Sequence, residues 1–248
     1  MRPVLFHIPI IQFVPLTIDT MNWIHPLLFL VVTFVSLPQS HAQDWANLGR
    51  YAAANQELNA LEMNEKRVVF MGNSITEGWG YEEDGLFARK PYINRGISGQ
   101  TTPQMLIRFR RDVIELEPAV VVILAGINDI AGNTGPTTID VIFGNIVSMI
   151  ELARANDITV VLCSVLPAGD FSWSPGLDPA KKVVELNTLL ETYAKENDIV
   201  YVDYFRAMAD DRQGLPLRYS EDGVHPNSAG YRVMTPLVEA GIEEALGE

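Results

Sequence analysis

Ser74, Asp222 and His225 are the side chains whose types and spacing could carry covalent chemistry in this sequence. Three of the four histidines (His7, His25, His41) lie in an apolar leader expected to be removed, which leaves His225 as the imidazole of the mature protein. General-base chemistry by histidine therefore runs through His225. In Asp222-Gly-Val-His225 a carboxylate can fold back onto the imidazole within one tight turn and fix its tautomer and charge. An ordinary Asp-Gly turn with a surface histidine has the same spelling. Ser74 stands in Gly72-Asn-Ser-Ile-Thr76, directly after an apolar run. A serine there is presented at the end of a strand, and a helix beginning at that point brings N–H groups and a dipole that favour developing negative charge. A plain helix N-cap would occupy the same place. Thr76 replaces the second glycine of a Gly-x-Ser-x-Gly elbow, and Asp222 and His225 are three residues apart, so the α/β-hydrolase pattern is not met.

Three further clusters bear on the serine. In Ile97-Ser-Gly-Gln-Thr-Thr102, Gly99 lies in a loop where a bare backbone N–H could approach a substrate oxygen. Asn128, in Gly126-Ile-Asn-Asp129, falls in a sharp turn after an apolar run, where its amide could donate to the same oxygen; turn geometry alone also favours Asn. Asp129 is expected to stabilise that turn rather than react. Pro226 keeps His225 out of the helical region, and Asn227 and Ser228 can cap a terminal helix.

The elements that must position these residues alternate along the chain. Arg67 to Met71, Val120 to Ala125, Thr159 to Ser164 and Ile199 to Val202 read as strands buried on both faces, with Tyr92 to Asn94 a weaker candidate. Met105, Leu106, Phe109, Val113 and Leu116 mark one helical face, with Thr102 as N-cap and Pro103 at the first helical position. Ile139, Ile142, Ile146, Met149 and Ala153 mark a second face; Val183, Leu186, Leu190 and Tyr193 mark a third. Alternation of this kind implies right-handed crossovers and a parallel sheet covered on both sides, with ligands beyond the carboxyl ends of the strands. The polar clusters stand at those ends.

Four blocks in this order, Gly72-Asn-Ser74, Gly99, Gly126-Ile-Asn128-Asp129 and Asp222-Gly-Val-His225, make the chain from Arg67 onward resemble the SGNH hydrolases, also called the GDSL esterase/lipase family. The resemblance implies an α/β fold, a flavodoxin-like three-layer α/β/α sandwich on a five-stranded parallel sheet. It implies Ser74 as nucleophile, His225 as base and Asp222 as its orienter. The oxyanion hole would be the Ser74 and Gly99 N–H groups with the Asn128 side chain. Asn73 departs from the family name, which has Asp there.

The rest of the sequence sets the setting. Leu27 to Leu37, followed by Pro38 and Ser40-His41-Ala42, reads as an export signal occupying residues 1–42, with Met1 or Met21 as the start. Its apolar run falls short of the roughly 20 residues that span a membrane, so no stable membrane association is expected after cleavage. Residues 43–248 are then expected to form one domain, periplasmic or extracellular. A net charge of −13 argues against nucleic acid or an anionic membrane as partner, since both repel an acidic surface. Cys163 is the only cysteine, so no internal disulfide can form, and its apolar strand marks it as core. One histidine and scattered carboxylates make a poor zinc site, and neither metal nor cofactor is expected.

The expected activity is hydrolysis of short acyl esters, acetyl on carbohydrate first, on a small-molecule or saccharide substrate. No long apolar insertion suggests a lipase lid. The connection from Pro167 to Pro179 offers Phe171 and Trp173 as aromatic faces for a sugar or aryl group, although packing under a loop suits them equally. Asn133, with Ser98, Gln100 and Thr101, adds polar character to loops expected near the pocket. Lysophospholipase or thioesterase activity is the alternative within the family. A flavodoxin-like module that cradles phosphate or flavin on Gly72 to Thr76 is the alternative of another class, and gives Asp222 and His225 no role.

Overall fold

Five short strands form the frame of the protein, seen here in a computed structural model that describes residues 44–59, 66–81, 85–87 and 90–248. The expected leader, residues 1–42, lies outside the described residues. The strands β1 (Val68–Gly72), β2 (Tyr92–Gly96), β3 (Val120–Leu124), β4 (Thr159–Cys163) and β5 (Val200–Val202) pair in the order β2-β1-β3-β4-β5, all parallel. Every residue of β1 and β3 is buried, as continuous β-branched runs require when helices cover both faces. The register aligns Gly72 with Gly96 on one side and with Leu124 on the other, so three strands end level with one another. Ser74, the Gly99 loop and Asn128 all follow that common edge.

Among the described residues, eight α-helices flank the sheet: α1 (Ala52–Asn59), α2 (Ser74–Trp79), α3 (Thr102–Asp112), α4 (Ile127–Ile130), α5 (Ile139–Arg154), α6 (Pro179–Glu196), α7 (Tyr204–Met208) and α8 (Ser228–Leu246). Right-handed crossovers from this strand order place α3, α5 and α6 on one face, where α5 packs against both α3 and α6. On the other face α8 crosses β3, β4 and β5. The Trp79 ring of α2 stacks on Tyr231 of α8 at 5.4 Å between centroids. Trp79 is almost wholly buried, and truncating such a side chain to alanine costs about 3–5 kcal/mol. That contact ties the serine's helix to the helix that follows His225.

The three periodic faces are the buried ones: Met105, Phe109, Ile142, Met149, Val183, Leu186 and Leu190 are all fully inside. Two expectations shift. The N-cap of α3 is Thr101, one residue earlier than the sequence suggested, because the Gln104 side chain accepts from both the Thr101 N–H (3.0 Å) and its hydroxyl (3.1 Å). Strand β2 runs on to Gly96.

Candidate active site

Ser74 is the first residue of α2, and the cap is Asn73, whose side-chain oxygen accepts from the Ile75 N–H at 3.0 Å. The serine hydroxyl is thereby spared a capping role. It lies 2.9 Å from His225 Nε2, across a sequence separation that only the fold can close. Ser74 is not among the residues with positive φ. Its exposure comes instead from glycines that let α2 sit directly on the strand ends. A Cβ on Gly96 would fall 2.2 Å from the Glu77 nitrogen, and one on Gly72 would fall 2.0 Å from Thr76 Oγ1.

Asp222 and His225 meet within one turn. Asp222 Oδ2 is 2.6 Å from His225 Nδ1. Its other oxygen accepts from the backbone N–H groups of His225 (2.8 Å) and Val224 (2.9 Å) and from the Ser220 hydroxyl (3.0 Å). Gly223, at φ +78, lets the turn close. Burial raises the Asp222 pKa, but the ring and backbone hydrogen bonds from His225 and that of Val224 outweigh it and bring it down to about 2. The carboxylate is therefore charged across the neutral range. An ionised acceptor at Nδ1 places the imidazole proton there and leaves Nε2 to accept from the Ser74 hydroxyl. Beyond Pro226, Asn227 accepts from the Ala229 and Gly230 N–H groups and starts α8.

The residues expected around an oxyanion hole gather about one loop. Gly99 has φ +78, a conformation that L side chains rarely adopt, and its carbonyl accepts from Asn133 Nδ2 at 3.1 Å. Asn128 Nδ2 donates to the Gln100 carbonyl at 2.9 Å. Asn128 is presented by the short helix α4 after Gly126, which has φ +120 and a position where any Cβ would lie 2.7 Å from Leu186 Cδ2.

Asp129 does more than hold its own turn. Its two carboxylate oxygens accept from the Thr102 N–H at 3.0 and 2.9 Å, and one accepts from the Thr102 hydroxyl at 2.6 Å, which fastens the start of α3 to α4. Burial pushes its pKa up to about 6 against the lowering effect of those bonds.

Of the two aromatics, Trp173 alone faces solvent. It is 45% exposed, and its ring centroid is 6.0 Å from that of His225. Phe171 is wholly buried and packs against Trp173 at 5.2 Å, so the expectation that it contacts substrate gives way to support from below. Gly132 and Ser174, neighbours in sequence of Asn133 and Trp173, line a cavity of about 450 Å³ with Thr137, Leu177, Lys182 and Glu185. No cluster of three or more histidine, cysteine or acidic side chains suited to a metal occurs among the described residues.

Residues 70–233 match the model of the GDSL-like Lipase/Acylhydrolase family. The chain belongs to that family. A Bacteroides fragilis protein assigned to the acylhydrolases is 52% identical over 82% of this chain and 98% of its own, with a TM-score of 0.79. A GDSL-like lipase from Bacteroides thetaiotaomicron is 50% identical over 81% of this chain and 98% of its own, with a TM-score of 0.78. An acetyl xylan esterase, 20% identical over 71% of this chain and 99% of its own, shares the fold at a TM-score of 0.57. No curated protein matches the chain. The five-stranded parallel sheet between helix layers is the family fold that the sequence motifs implied.

Sequence reasoning did not single out Arg108, Glu77 or Ser220. Arg108, fully buried, donates to the Gly72 carbonyl at 2.9 Å and the Arg95 carbonyl at 2.8 Å and pairs with Asp112 at 3.0 Å. Glu77 accepts from the Ser98 N–H at 2.8 Å and from the Ser98 hydroxyl. An arginine on the apolar face of a helix, one position before Phe109, was the available signal for the first.

Proposed function

We propose that the protein is an exported serine esterase that removes short acyl groups, acetyl first, from carbohydrate through an acyl-enzyme. The continuous hydrogen-bonded series from Ser74 Oγ through His225 to Asp222 carries this reading. Ser74 Oγ attacks the ester carbonyl while His225 Nε2 takes its proton. The N–H groups of Ser74 and Gly99 and the Asn128 amide receive the developing oxyanion, whose charge preorganised donors of this kind stabilise. Asp222 holds the imidazolium. Collapse of the intermediate passes the proton to the departing alcohol, leaving an acyl group on Ser74. His225 then takes a proton from water, whose oxygen attacks the acyl carbonyl, and returns it to Ser74 as the acid leaves.

The saccharide preference is supported by Trp173, an exposed indole beside His225 that suits the apolar face of a sugar ring. A phosphate- or flavin-binding module has no use for the Asp222–His225 pair. Residues 43–248 are proposed as the exported catalytic domain, released by cleavage after Ala42.

A fluorophosphonate should label Ser74, and Ser74→Ala should fold normally while losing nearly all esterase activity. An adduct mapped to any other residue overturns the assignment. Across a p-nitrophenyl series kcat/KM should peak at acetate or butyrate, and acetate should be released from acetylated saccharides. A site built for long chains would instead gain about 0.8 kcal/mol per buried methylene. A maximum at eight carbons or beyond, or faster cleavage of lysophosphatidylcholine than of any acetyl ester, would move the substrate to lysophospholipid. Sequencing the N-terminus of the exported protein tests the cleavage site.

A further inference from the structure

The loop Ser98–Gln100 carries the proposed oxyanion donor Gly99, yet it belongs to no helix or strand. Much of what fixes it traces back to a segment far upstream. Residues 44–51 are shaped locally: the Asp44 carboxylate accepts from the Leu48 and Gly49 N–H groups at 2.8 and 2.9 Å. From this arm two lines of contact reach the loop. In the first, the Ala46 carbonyl accepts from Gln100 Nε2 at 2.7 Å, while Gln100 Oε1 accepts from Arg108 Nε. Arg108 also holds the Gly72 carbonyl, two residues before Ser74. The buried Gln100 amide thus joins the arm to the nucleophile's strand. In the second, Arg50 Nη2 donates to Glu77 Oε1 at 2.8 Å, and Glu77 Oε2 accepts from both the N–H and the hydroxyl of Ser98. Tyr51 adds a hydroxyl bond to the Gly96 carbonyl at the end of β2, and its ring lies 4.6 Å from the Arg95 guanidinium. Gln104, in the first turn of α3, donates to the Trp45 carbonyl at 2.7 Å.

We propose that the arm Asp44–Tyr51 is a positioning strap for the oxyanion hole, holding the Ser98–Gln100 loop where the Gly99 N–H can meet the developing charge. This rests on the reading of Ser74 as nucleophile and Gly99 as donor. The arm itself touches none of the reacting groups. If the strap loosens, the buried Gln100 amide loses an acceptor, which costs about 1–3 kcal/mol, and the loop relaxes to find another. A donor displaced by about 1 Å can lose up to a hundredfold in rate.

The experiment uses the full chain carrying Arg50→Ala with Tyr51→Phe, assayed on p-nitrophenyl acetate. The expected result is a kcat lowered about ten- to a hundredfold with KM changed less than twofold, and a matching fall in the rate of Ser74 phosphonylation. Arg50→Lys should restore most of the loss that Arg50→Ala causes alone. Placed in an Asn128→Ala background, the strap substitutions should cost much less than in the native protein, because both act on one oxyanion. Should the double variant not fold, Asp44→Ala, which removes the carboxylate that shapes the arm, takes its place with the same expectation. A lowered Tm with native kcat would show a purely structural role and overturn the strap. So would full additivity with Asn128→Ala. Either result leaves the serine mechanism standing, whereas an active Ser74→Ala would remove the mechanism itself.

Discussion

The amide nitrogen of Asn128 sits 2.9 Å from the carbonyl oxygen of Gln100, so the turn after β3 is bonded to the loop after β2. That amide carries two hydrogens; the Gln100 carbonyl takes one, and in the proposed hole the other would meet the substrate oxygen. Asn128→Ala should lower kcat by about 10²- to 10³-fold with KM little changed. Steady-state kinetics on p-nitrophenyl acetate decide it, and an effect confined to KM would make Asn128 a ground-state binder.

Trp173 and Phe171 should separate cleanly. Trp173→Ala should reduce kcat/KM on acetylated oligosaccharides about tenfold, in line with loss of roughly 0.5–1.5 kcal/mol of ring contact, and leave p-nitrophenyl acetate hydrolysis and Tm near native. Phe171→Ala empties a fully buried site and should cost about 3–5 kcal/mol of stability. Equal loss on both substrates from Trp173→Ala would deny the indole a saccharide role.

Asp129 gives the stability a pH dependence of definite sign. Its folded pKa, about 6, lies above the ordinary aspartate value of 3.8, so between those values the native state holds a proton that the unfolded chain has lost. Stability from this group therefore falls as pH rises from about 4 to about 6, and the cost is fully present above that. Asp129→Asn removes the slope. The Tm of the native protein relative to Asp129→Asn should be higher at pH 4.5 than at pH 7.5, and a difference independent of pH would contradict the assignment.

Cys163 should be silent toward thiol reagents. It is 1% exposed in β4, and burial pushes its thiol up to about 12 despite a contact from Tyr204. An aromatic disulfide reagent should react only after denaturant is added, and the esterase should be unaffected by reductant. Rapid labelling of the native protein would show that β4 opens.

Much of this molecule can be read from the order of its residues. The β-branched runs announce four strands, most clearly the central β1 and β3, whose burial on both faces leaves no room for polar residues, while the edge strand β5 is only half-buried. Asp222-Gly-Val-His225 is legible for a local reason, since three residues and a glycine suffice to close the turn. Strand β2 is harder to see because Asn94 and Arg95 interrupt it, each satisfied by partners no window reveals: Asn94 donates to the Thr76 carbonyl at 2.6 Å, and Arg95 to Asn55 at 2.9 Å. The cap of α3 misleads because Thr101 and Thr102 are adjacent; Gln104, three residues after Thr101, decides between them. Phe171 and Trp173 sit in a loop without periodicity, so which one is buried is a tertiary fact. Arg50, Glu77 and Gln100 matter through contacts across long stretches of chain that their own neighbourhoods do not signal, and Arg108 is signalled only by its place on the apolar face of its helix.

Gly72 and Gly96 have a consequence for how this enzyme can change. Where a nucleophile sits on a strained turn, about 1–3 kcal/mol is stored at the reactive residue itself, and replacing that residue relieves the fold at the expense of turnover. Here the close seating of α2 on the strand ends presents Ser74, the proposed nucleophile, without a positive φ, and the two glycines bear the constraint instead. Resilience to heat and catalytic power then depend on different positions. Selection, natural or in the laboratory, can raise the first without eroding the second, provided it leaves those two glycines alone.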